Sequence, residues 1–115
     1  MNPGRYNLSV YKGTTFDLKP VWKIGGVAVD LTGYTADMQV RYATDTAIII
    51  ELSTANGRAT IDTAYGRVNL HISATDTAAL TAGTYQYDLN LTNTVDSTVY
   101  KILQGTFIVN ESVTH

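Results

Sequence analysis

The sequence predicts an all-β chain: one antiparallel β-sandwich of about seven to nine strands, with a single short helical turn near residues 75–80. Three observations predict it. Apolar and polar residues alternate with a period of two almost throughout, the spacing of strands with one buried and one solvated face. Turn signals recur at intervals of roughly 8–12 residues, the rhythm of sandwiches and barrels. The chain has 115 residues, 44% of them hydrophobic, and at that length about two-thirds of the unfolded surface can be buried, enough for one core and too little for two. A closed barrel is the alternative architecture.

In chain order, Tyr6, Leu8 and Val10 alternate with Asn7, Ser9 and Tyr11, and after Lys12-Gly13 the set Phe16, Leu18, Trp22 and Ile24 alternates with Asp17, Lys19, Val21 and Lys23. These are two strands, the second with an edge or a break at Pro20, which has no N–H to donate. Gly25-Gly26 is a two-residue hairpin loop, because both central positions of such a turn take positive φ. Ala36, Met38, Val40 and Tyr42 then share an inward face opposite Thr35, Asp37, Gln39 and Arg41. Ile48 to Leu52 is a β-branched strand ended by Asn56-Gly57, and Ala59 to Asp62 pairs across Ala64-Tyr65-Gly66 with Val68 to Ile72, leaving His71 outward. Residues 73–80 form the one helical stretch, capped by Thr75 and limited to one or two turns.

After Gly83, Tyr85, Tyr87, Leu89 and Leu91 face inward, and in the last strand Gly105 marks a bulge or a close approach before Phe107 and Val109. Leu80 to Tyr87 has the form of the tyrosine corner of immunoglobulin-like domains: a turn, a glycine, and a tyrosine entering a late strand. Tyr87 stands where antibody domains carry cysteine. The predicted architecture is therefore an immunoglobulin-like sandwich, one domain over residues 1–115. Its core is Phe16, Leu18, Trp22, Met38, Val40, Leu70, Ile72, Tyr85, Leu89 and Phe107. Residues 1–11 are a docking arm or edge strand, and 111–115 a tail.

Chemistry is sparse in this chain. Eight Lys and Arg against ten Asp and Glu give a net charge of −2, too small and scattered for a nucleic-acid or membrane-surface binder. The absence of cysteine removes disulfides and thiolate sites. No apolar run approaches the roughly 20 residues of a membrane span, and Met1 to Arg5 lacks the apolar stretch of a secretory signal, so synthesis in the cytoplasm is expected. His71 and His115 lack partners for a metal site. Asp17, Asp30, Asp37, Asp45, Glu51, Asp62, Asp76, Asp88, Asp96 and Glu111 are spread singly, whereas a glycosidase needs two carboxylates about 5–9.5 Å apart in a cleft. No catalytic residue, metal or cofactor is expected. The binding signal is aromatic: Tyr6, Tyr11, Tyr34, Tyr65 and Tyr100 are the candidate interface residues, because exposed tyrosines anchor protein contacts or stack on sugars.

The segments Gly13 to Leu18, Val29 to Arg41, Ile72 to Leu89 and Leu103 to Val109 resemble small structural proteins of tailed bacteriophages and prophages. Over residues 13 to 110 the chain is similar to the immunoglobulin-like N-terminal domain of phage baseplate upper proteins. That resemblance implies a non-enzymatic virion protein, an accessory of tail, baseplate or neck that anchors or bridges other components. Its implied partners are other virion proteins and copies of itself in a symmetric assembly, with no nucleic acid and no membrane. The residue 1–11 arm and the Ser112 to His115 tail are the expected inter-subunit contacts. A head decoration protein on the capsid surface and a carbohydrate-binding adsorption module are the alternatives.

Overall fold

A computed structural model of the chain describes residues 4–42 and 47–111. The described strands are β1 (Gly4–Arg5), β2 (Leu8–Tyr11), β3 (Phe16–Leu18), β4 (Lys23–Ile24), β5 (Val27–Ala28), β6 (Tyr34–Arg41), β7 (Ile48–Ser53), β8 (Ala59–Asp62), β9 (Arg67–Ile72), β10 (Gly83–Asn93) and β11 (Val99–Asn110). A 3-10 turn spans Thr63–Tyr65, and the helix α1 spans Ala74–Ala78. Of these eleven strand segments, three are only two residues long, which leaves eight longer ones. The expected tail contacts of Ser112 to His115, and residues 1–3 of the arm, lie outside the described residues.

The larger sheet runs β1-β11-β10-β6-β7, with β2 also on β11; the smaller runs β3-β9-β8; β4 and β5 form a separate hairpin. The alternation read from the sequence decides what each strand buries. Ala36, Met38 and Val40 of β6, Tyr85, Tyr87, Leu89 and Leu91 of β10, and Phe107 and Val109 of β11 meet Phe16, Val68, Leu70 and Ile72 of the smaller sheet in one cluster. The Phe16 and Phe107 rings join the two sheets edge to face, centroids 5.4 Å apart. Each fully buried large side chain contributes about 1.5–3 kcal/mol relative to exposure. Every residue of the predicted core is buried except Leu18, which packs half-buried against it.

Several sequence expectations need correction. The larger sheet is mixed rather than wholly antiparallel, because β1 and β2 lie parallel to β11. The first and last strands of the chain share one edge, so most of the arm is spent on its own domain: residues 4–5 and 8–11 are edge strands. Tyr6 leaves the face of Leu8 and Val10 and is exposed where β1 gives way to β2. Ile24 is likewise exposed, since the strand breaks at Pro20 and resumes in the β4–β5 hairpin away from the core, while Trp22 stays buried. Tyr42 points out past a bulge at Val40/Arg41, its ring against Tyr85. The helix begins two residues earlier than a Thr75 cap would allow: Ser73 is the cap, its hydroxyl accepting from Asp76 N at 3.2 Å.

Gly105 is not the bulge. It pairs with Tyr87, and the irregularity falls at Leu89/Asn90 opposite Ile102. The glycine is there for close approach, since a Cβ would collide with the backbone carbonyl of Tyr6. Gly25 and Gly26, at φ of 60° and 81°, do form the two-residue turn. Tyr85 makes the tyrosine corner, its hydroxyl donating to the Thr81 carbonyl at 2.6 Å.

The free edge of β7 is covered from within. Ser53 N donates to Asn56 Oδ1 at 3.0 Å and Asn56 Nδ2 donates to the Glu51 carbonyl at 2.8 Å, so one carboxamide takes the place of a further strand. The bulge beside Ile48 then twists the remainder of that edge.

Candidate functional site

The strand register assembles a polar band on the solvent face of the larger sheet. Arg5 lies opposite Gln104, Gln104 opposite Asp88, Asp88 opposite Gln39 and Gln39 opposite Glu51, one row across five strands. A shallow groove of about 370 Å³ opens over part of this band, bordered also by Arg41, Gln86, Lys101 and Thr106. Its polar groups hold one another. Gln39 Nε2 donates to Asp37 Oδ2 at 3.0 Å and to Glu51 Oε2 at 3.3 Å, while Arg41 Nη2 donates to Gln39 Oε1 at 2.7 Å. Lys101 Nζ lies 3.3 Å from Asp88 Oδ2.

Asp37 and Glu51 are the pair the sequence hides, because their closeness depends on the β6–β7 register. Burial, then the neighbouring Glu51 carboxyl, raises the Asp37 carboxyl above its ordinary range. Asp37 Oδ1 is buried and receives no hydrogen bond. The pair is braced by Gln39 on two neighbouring strands of one sheet rather than across a cleft. Among the described residues, no group of three or more His, Cys, Asp or Glu is arranged to hold a metal ion. A further outward-facing ionisable pair is His71 with Asp17, Nδ1 to Oδ1 2.7 Å, across β9 and β3 on the opposite side of the molecule.

The five candidate tyrosines do not converge. Tyr6, Tyr11 and Tyr65 are exposed. Tyr6 and Tyr11 belong to the β1–β2 edge, and Tyr65 stands on the 3-10 turn with the Arg67 guanidinium 5.7 Å from its ring centre. Tyr34 and Tyr100 are partly buried against Trp22, at 6.1 and 5.2 Å between centroids, and against each other at 6.5 Å. Those two close one end of the core. Tyr87, read from sequence only as core, has a further part: its hydroxyl donates to the Tyr6 carbonyl at 2.5 Å, the carbonyl that Gly105 leaves room for. Burial, helped by Tyr6, pushes the Tyr87 phenol up to about 12. Thr106 N donates to Asn7 Oδ1 at 3.2 Å, completing the clasp on the first strands.

No helix among the described residues is long and apolar enough to cross a membrane. No protein-family model matches the chain, and no curated protein matches it.

Proposed function

We propose that the chain is an immunoglobulin-like sandwich and a non-enzymatic structural protein of a tailed-phage virion, an accessory of tail, baseplate or neck that bridges neighbouring components. The fold half of this reading is carried by strand order. A sheet β2-β11-β10-β6-β7 over a sheet β3-β9-β8, with Tyr85 turned back on Thr81 just before the penultimate strand, is the arrangement expected of that fold. The virion half rests on the segments that resemble phage baseplate proteins, and it places the protein in particles assembled in the host cytoplasm.

The polar band suits that work. Mixed-sign side chains aligned across five strands, and bonded to one another within β6–β7 and β10–β11, present a face whose pairing with a neighbour sets orientation more than affinity. The aromatic arrangement favours this over sugar adsorption, because Tyr34 and Tyr100 stack on Trp22. The test is cryo-electron microscopy of intact particles of the phage or induced prophage that encodes the chain, with peptide mass counting of its copies. Density at tail, baseplate or neck in a number matching the local symmetry supports the proposal. Density over the capsid lattice at hundreds of copies replaces it with head decoration, and absence from particles overturns it.

A further inference from the structure

The sealed edge of β7 has a counterpart across the molecule. Strands β2 and β3 are consecutive in sequence but belong to different sheets, joined by the turn in which Thr14 N donates to the Tyr11 carbonyl at 3.2 Å. Between them runs a groove of about 410 Å³ bordered by residues 6–11 and 14–18. The buried side chains of Leu8, Val10 and Phe16 lie beneath it.

Among the described residues, both borders are unpaired strand edges. Lys12 N donates to the Asn110 carbonyl at 2.9 Å, so the even-numbered residues of β2 turn toward β11 and Ser9 turns its N–H and C=O to the groove. His71 N donates to the Arg58 carbonyl at 2.9 Å, so His71 is turned toward β8 and its partner Asp17 turns its N–H and C=O away from β9, to the same groove. An extended main chain is the ligand such groups take.

We propose that this groove accepts an extended strand from a partner polypeptide, hydrogen-bonded to Asp17 and carrying a basic side chain opposite it. Charge chooses the occupant. Two copies joined antiparallel through β3 would set Asp17 against Asp17, and like charges directly opposite are destabilising. Among the described residues Asp17 is the only charged one on the groove's borders; its Oδ1 meets His71 Nδ1 at 2.7 Å, yet the side chain remains 56% exposed, so a cationic residue in the added strand is favoured. The inference rests on reading the domain as an assembly module but not on which particle it joins, and its test uses the isolated protein.

The probes are three synthetic peptides: Lys-Val-Thr-Val-Lys-Val-Thr-Val-Lys, the same with Glu at the centre, and the first with its central nitrogen methylated. Binding is followed by amide shifts and hydrogen exchange on labelled protein. The first peptide should bind at least tenfold tighter than either other and protect the Asp17 and Ser9 amides, and the folded Asp17→Asn variant should bind the Lys and Glu peptides within about twofold of each other. Equal binding of the methylated peptide, protection at other residues, or no binding by any peptide would overturn the proposal. So would protection of these amides by concentration alone, which would give the groove to a second copy. None of these results touches the particle experiment, so the two proposals fail separately.

Discussion

Replacing Tyr87 by Phe tests the clasp on the first strands in two pH regimes. At neutral pH the variant loses one hydrogen bond and leaves the Tyr6 carbonyl without its donor, a cost of about 1–2 kcal/mol. At roughly 4 °C per kcal/mol for a domain of this size, the midpoint of thermal unfolding falls by about 4–8 °C. Alkaline pH adds a second signature. The phenol is pushed up to about 12 in the fold from 10.0, so between those values the folded state holds a proton that the unfolded state has released. The contribution is fully present below the unfolded value and is lost as pH rises through the folded one, about 2–3 kcal/mol in all. Urea unfolding of both proteins from pH 8 to 12 should therefore show two stability curves that converge above pH 10 and cross as pH 12 is approached. Hydrogen exchange should at the same time quicken at Leu8 to Tyr11 in the variant. Curves that stay parallel across that range would refute the assignment of the alkaline loss to Tyr87.

Three other substitutions probe separate parts. Gly105→Ala drives a methyl group into the Tyr6 carbonyl and Asn7 Oδ1; it should cost about 1–3 kcal/mol in chemical denaturation and speed exchange in the first strands. Thr77 is fully buried and its hydroxyl donates to the Thr14 carbonyl at 2.7 Å while accepting from Gly13 N at 3.1 Å. Thr77→Val strands both groups, and a stability loss of about 1–3 kcal/mol is expected at unchanged secondary structure by circular dichroism. Asp37→Asn removes a carboxyl whose folded value is raised, chiefly by burial and then by Glu51. The native carboxyl is least unfavourable to folding below its unfolded value and opposes folding as pH rises through the folded one, so the variant should gain stability at pH 7 and little at pH 3. Urea midpoints at the two pH values check the sign.

What was legible in the sequence was local. Period-two alternation located Met38 and Val40, Leu70 and Ile72, and Leu89 and Leu91 on the buried face, because each pattern lies within one strand. Gly25-Gly26 was legible because a turn is a property of its own residues. Pairing between distant segments was not. Nothing near Leu8 says that it will lie parallel to Phe107, or near Asp37 that Glu51 will share its solvent face. Tyr34 and Tyr100 read as free from sequence because only the fold brings Trp22 against both of them. Asn56 carried a turn signal, and its second use as a substitute strand depends on Glu51 and Ser53 being an edge.

That carboxamide bears on how far an assembly built from this chain can grow. A filament of added strands needs every unit to offer two margins, one to receive a neighbour and one to pass growth on. Here Asn56 and the adjacent bulge have closed the β7 margin. With β7 closed, a row of added strands cannot be passed on through that margin. On the proposed virion reading, a closed β7 margin suits a finite particle, where copy number is set by what the units sit on and not by how many are made.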